Sequence, residues 1–147
     1  DRLELRICDF ISDVELLLAV TALLELRVIY LFENINHLDP LLSSDFSLNE
    51  LKNICDSNEV EVAKNSLNAE LMHWKDGRKF ICKEWIQNLL DEVNSLAKKF
   101  KMDSQLDPIR KVLQKGNQSM QWIASYKEGK SVEEIMKCAI NDMIESE

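Results

Sequence analysis

Three side chains near the start of the chain have the types and spacing to do chemistry: Arg2, Glu4 and Arg6. They alternate with Leu3, Leu5 and Ile7, so in a strand the charges share one face and the apolar residues the other. Neighbouring side chains in that row would stand roughly 6 to 7 Å apart, enough for a phosphate or a metal-bound carboxylate to lie between them. A carboxylate flanked by two guanidinium groups keeps its charge at neutral pH, as a magnesium ligand must, because positive neighbours favour ionisation. Each guanidinium offers a planar fork of donors to phosphate or carboxylate oxygens and does not give up its proton. Such a row stabilises charge and moves no protons. The same Arg-x-Glu-x-Arg pattern also fits the solvated face of an edge strand, and spacing alone leaves both readings open.

A short strand is not stable alone, so other elements must hold residues 2–8 in place. Ser12 is the expected N-cap of a long helix over residues 13–33, with Asp13 and Glu15 in its first turn. Leucine and alanine nearly all round that helix predict burial on more than one side. His37 to Asp45, with Asp39 before Pro40, reads as a loop. Residues 47–147 read as a helical region opened by a capping box, Ser47 with Glu50. Within it Val60, Ala63, Leu67 and Leu71 share one helical stripe, and Asp76-Gly77 marks a tight turn. Ile86, Leu89, Leu90, Val93, Leu96, Ala97 and Phe100 form the cleanest amphipathic helix. Leu106, Ile109 and Leu113 begin another, which Gly116 ends. Met120, Ile123 and Tyr126 mark a short helix, and Ser131 with Glu134 caps a last one carrying Val132, Ile135, Met136, Ala139, Ile140 and Met143.

Composition bounds what this body can be. At 147 residues it is one domain's length, and 46% hydrophobic residues against only 3 Gly and 2 Pro favour a packed, mostly helical fold. A net charge of −8 repels nucleic acid and anionic membranes at long range, although a few gathered arginines still bind a small anion. The apolar run Leu16 to Leu24 is shorter than the about 20 residues that span a bilayer. Cys8, Cys55, Cys82 and Cys138 are scattered, most of them on expected apolar faces, which suits reduced thiols in a cytoplasmic protein; His37 and His73 lie at no metal-ligand spacing. The opening residues alternate like the middle of a strand, so the chain is expected to be a C-terminal piece whose partner strands lie upstream, inactive by itself.

The segment Arg2-Leu-Glu-Leu-Arg6-Ile-Cys-Asp9, followed by a Leu/Ala-rich helix, resembles the carboxylate-amine ligase family, and within it the cyanobacterial type of glutamate-cysteine ligase. Asn58-Glu59, Ala63, Ser66-Leu67, Ala69, Trp74, Asp76-Gly77-Arg78, Glu84-Trp85-Ile86, Gly116-Asn117, Met120 and Trp122 continue the likeness in order over nearly the whole chain. The resemblance implies an α+β parent fold, similar to glutamine synthetase, of which these residues supply one N-terminal strand and about six helices. It implies ATP and Mg²⁺ as cofactors and glutamate and cysteine as substrates. Glu4 would then be a magnesium ligand, Arg2 would contact nucleotide phosphates, and Arg6 the transferred phosphoryl group or the glutamate carboxylate, with the two arginine roles exchangeable. Asn58 matches a family position near the cleft, without a chemical role of its own.

Other features read as packing or surface. Trp74, Trp85 and Trp122 neighbour apolar stripes, Lys98, Lys99 and Lys101 suit a helix C-terminus, Cys8 is an inert thiol by default, and His73 is a surface or packing residue. The Val132 to Ile144 stripe is expected to pack on its own domain before a second subunit. Two further functions stay open: a carboxylate-amine ligase using another amine, and a non-catalytic helical interaction module.

Overall fold

In a computed structural model of the chain, residue 11 and residues 13–145 are described. The strand expected over residues 2–8, with Arg2, Glu4, Arg6 and Cys8, and the expected cap Ser12 lie outside the described residues.

The described chain is mostly helical, as its low glycine and proline content implies. The long helix α1 spans Val14–Glu33. Its N-cap is Asp13 in place of the expected Ser12: Oδ1 of Asp13 accepts from the Leu16 backbone N–H at 3.0 Å, and the carboxylate also suits the positive end of the helix. The expected loop after α1 contains two single-turn helices, α2 (Ile35–Leu38) and α3 (Pro40–Ser43), because Asp39 caps Leu41 N–H at 2.9 Å and Pro40 occupies the first turn, where its missing N–H costs nothing. Helix α4 (Leu48–Asn65) opens on the capping box expected of Ser47 and Glu50.

The stripe expected to run from Val60 to Leu71 breaks. Ser66 turns the backbone to φ 53° and ψ −130°, α4 stops at Asn65, and Leu67 falls in a 3-10 turn. Leu71 then sits in a strand, β1 (Glu70–Met72), paired antiparallel with β2 (Lys79–Ile81) in the register Leu71 opposite Phe80. The Asp76-Gly77 turn therefore joins two strands where helices were expected. Gly77 has φ +71°, a conformation that favours glycine, and a Cβ there would stand 2.9 Å from the tip of the Phe46 ring, which would have to shift.

Helix α5 (Cys82–Phe100) follows, then α6 (Asp107–Lys115), ended as expected by Gly116 at φ +86°. Helix α7 (Gln118–Lys127) and helix α8 (Val132–Glu145) form a hairpin, with Ser131 and Glu134 as the expected capping box. The main core joins Ala19, Ala22 and Leu26 of α1 to Leu90, Val93, Leu96 and Ala97 of α5 and to Leu106, Ile109 and Leu113. A smaller core under the strands holds Ala69, Leu71 and Cys82.

Burial on more than one side of α1, and packing of the α8 stripe on its own domain, are not what the described residues show. The face of α1 away from the core leaves Val14, Leu18 and Phe32 exposed, and of the α8 stripe Ile135 is buried while Val132, Met136, Ile140 and Ile144 are exposed. Sequence periodicity reports that a face is apolar without saying what covers it. Of the cysteines expected on apolar faces, Cys82 is buried, whereas Cys55 and Cys138 are exposed. No described helix is long and apolar enough to cross a membrane.

Leu26 is fully buried and Leu18, one turn before Ala22 on the same helix, is 61% exposed. Leu26→Ala is expected to cost about 2 to 5 kcal/mol in urea unfolding, and Leu18→Ala about 0.5 kcal/mol or less. Equal losses would mean that α1 does not pack by the Ala19, Ala22 and Leu26 face.

Candidate functional site

A polar groove of about 420 Å³ lies where the starts of α1 and α7 approach each other. It is lined by Ile11, Asp13 and Leu16 on one side, Val112 on α6, and Gly116 to Ser119 with Gln121 on the other. Its size suits a small ligand. The groove also follows directly in sequence on the segment that carries Arg2, Glu4 and Arg6. Its lining offers amide and hydroxyl hydrogen bonds and one carboxylate, Asp13, but no histidine or lysine. It can therefore orient a polar ligand, and among the described residues of its lining Asp13 has no histidine or lysine with which to exchange a proton.

The groove wall is built by one asparagine. Oδ1 of Asn117 accepts from the Met120 N–H at 3.0 Å and caps α7, while Nδ2 donates to the Ser66 hydroxyl at 2.6 Å. Nε2 of Gln121 donates to the Gly116 carbonyl at 3.0 Å and closes the same junction. Ser66 thus keeps a backbone conformation rare for a residue with a Cβ while its side chain ties the end of α4 to the start of α7.

The second concentration of resemblance-bearing residues is the β-hairpin. Asn58, without a chemical reason from sequence, has one in the structure: Nδ2 donates to the Met72 carbonyl at 2.9 Å, and Oδ1 accepts from the Met72 N–H at 2.8 Å. Its amide pairs with the edge of β1 much as a neighbouring strand would. His73 follows. Its ring stacks on Trp74 at 5.4 Å and meets the edge of Phe80 at 5.8 Å, and Trp85 packs against Phe80 at 4.6 Å. Nδ1 of His73 accepts from the Lys75 N–H at 3.1 Å and stands 3.4 Å from Asp76. Burial pushes His73 below its ordinary pKa, against the pull of Asp76 and with the help of Arg78 and Lys75. His73, Trp74 and Trp85 are packing residues, as expected, while Trp122 is substantially exposed on α7. Lys98 and Lys99 occupy the last turn of α5, as the dipole argument requires.

A second groove, about 620 Å³ between α7 and α8, is lined by Trp122, Tyr126, Ile135, Met136 and other apolar residues and presents no chemistry. Among the described residues no three histidine, cysteine or carboxylate side chains come together as a metal site needs. Glu4 lies outside them. Sequence reasoning missed the groove, whose walls are about a hundred residues apart in the chain; an asparagine directly after Gly116, a residue type that caps helices, is the signal that could have led to it.

Two predictions follow from the hairpin. Asn58→Ala leaves the Met72 N–H and carbonyl without their partners and should speed amide exchange at Met72 by about tenfold or more, since such a loss costs about 1 to 3 kcal/mol; unchanged exchange would exclude the clamp. His73 is held below its unfolded value, so the unfolded chain binds more protons near and below pH 6.5. The histidine's contribution is fully present above that pH and is lost as pH falls. Unfolding measured from pH 7.5 to 5 should show stability falling with a slope that His73→Asn, which keeps an acceptor for Lys75 but does not titrate, makes shallower.

Comparison with known proteins gives one match of long extent. No curated protein and no solved structure matches the chain. The family model described as glutamate-cysteine ligase family 2 matches residues 1–145. That range takes in the Arg2 to Arg6 row, the Ser66 to Asn117 junction and the hairpin together, and the chain belongs to glutamate-cysteine ligase family 2.

Proposed function

We propose that this chain is part of an ATP-dependent ligase that joins glutamate to cysteine, the first step of glutathione synthesis, in the cytoplasm. The observation that carries the reading is the family match over residues 1–145, which includes Arg2, Glu4 and Arg6. In this reading the side-chain carboxylate of glutamate attacks the terminal phosphorus of ATP, giving a γ-glutamyl phosphate and ADP. The amine of cysteine then attacks the acyl carbon, an amide forms, and phosphate and a proton leave.

Arg2 contacts the nucleotide phosphates, and Arg6 holds the transferred phosphoryl group or the glutamate carboxylate. Their fixed positive charge opposes the negative charge that builds on the phosphoryl oxygens, and neither can donate its proton to a reacting group. Glu4, between two guanidinium groups, stays ionised and able to bind a divalent cation. Bound Mg²⁺ would neutralise phosphate charge.

In the full-length protein, Glu4→Gln and Arg6→Ala should each lower kcat by about 10²- to 10³-fold, the usual cost of one missing charge-stabilising group. Near-normal turnover in both would remove these residues from the site. A coupled ATPase assay with glutamate and a panel of amines is expected to respond most to cysteine; a stronger response to another amino acid would replace cysteine as the acceptor.

A further inference from the structure

The α7–α8 hairpin is joined to the body in an unusual way. None of the residues of α7 is buried, and the main packing contacts of α8 are with α7, through Ile135 and its neighbours. The body and the hairpin meet at a narrow root: Gly116, Asn117, Met120 and Gln121. Gly116 has φ +86°, in the region where glycine turns freely and other residues do not. The same root forms one wall of the polar groove, whose opposite wall, Ile11, Asp13 and Leu16, belongs to the start of α1.

We propose that α7 and α8 are an arm that swings as one body about Gly116 and sets the width of the polar groove. The Asn117 to Ser66 hydrogen bond is its latch. Two features carry this, a hinge and a latch. The hinge is a buried glycine in the left-handed region, at a helix end where a few residues can absorb a large change in φ and ψ. The latch is a single side-chain pair, 2.6 Å long and separated by 51 residues, so its loss leaves helix-internal hydrogen bonds untouched. Its acceptor, Ser66, is held at φ 53°, a conformation that persists only while its surroundings enforce it. Opening the latch frees the start of α7 from the end of α4 and moves the groove wall; closing it does the reverse. The inference concerns motion of this chain alone and stands or falls separately from the ligase reading.

The chain carries its own reporters. Cys55 on α4 and Cys138 on α8 are exposed, whereas burial raises the pKa of Cys82 and keeps it unreactive near neutral pH. In the full-length protein with Cys8 and any other accessible cysteine outside residues 1–147 replaced by serine, spin labels on Cys55 and Cys138 report the distance between body and arm by pulsed electron resonance. Ser66→Ala removes the acceptor. Asn117→Ser keeps an N-cap for α7 and is too short to reach Ser66. The unaltered latch should give one narrow distance, and both variants a second distance population, with helical circular dichroism unchanged. A single distance in both variants would overturn the proposal. So would a second population that appears only with loss of helical signal, since the arm would then melt and not swing.

Discussion

Close contact between α1 and α5 is the constraint on which the rest of the structure depends. Ala19, Ala22 and Leu26 of α1 are buried in one core with Leu90, Val93 and Leu106, and the small alanines let the helices of that core approach closely. Arg27 and Glu92 pair across the same seam, at an exposed position where such a pair adds specificity of register more than stability. Because α1 is fixed there along its length, its first turn is fixed too. Asp13 and Leu16 therefore stand opposite Gly116 and Asn117, and the groove exists.

Polar side chains do most of their work on the backbone. Asn58 completes the edge of β1, Asn117 caps α7 while holding Ser66, and Ser47 and Ser131 cap α4 and α8 with their glutamates. Several residues that carry the family likeness, among them Asn58, Ser66, Gly77, Gly116 and Asn117, are joints of this kind. A likeness concentrated at joints preserves the placement of elements, and through them the placement of whatever the preceding segment binds. The row Arg2, Glu4 and Arg6, proposed to stabilise charge, precedes the described residues.

Much of this was legible in the sequence, for identifiable reasons. The caps at Ser47 and Ser131, the amphipathic α5 and the stop at Gly116 were legible because each depends on residues within four positions of one another. The hairpin was not. Leu67 and Leu71 keep the spacing of a helix, and nothing in the type of Ser66 announces that it will leave the helix at a positive φ while its hydroxyl meets an asparagine 51 residues away. What covers the apolar faces of α1 and α8 was not legible for a related reason: an apolar stripe shows what a helix can bury and not what it meets. The role proposed for Arg2, Glu4 and Arg6 comes from resemblance, since alternation alone also fits a solvated strand.

The ligase reading requires that ATP be cleaved by glutamate before any amine arrives. Positional isotope exchange tests that requirement directly, with ATP labelled by oxygen-18 at the bridge between its β and γ phosphates and the full-length protein present. Glutamate alone, without cysteine, should scramble the label into the non-bridging β positions, because a reversible γ-glutamyl phosphate lets the β-phosphate of ADP rotate before ATP reforms. Amide formation from glutamate and cysteine with no such scrambling, when ADP is shown to rotate and return, would contradict it.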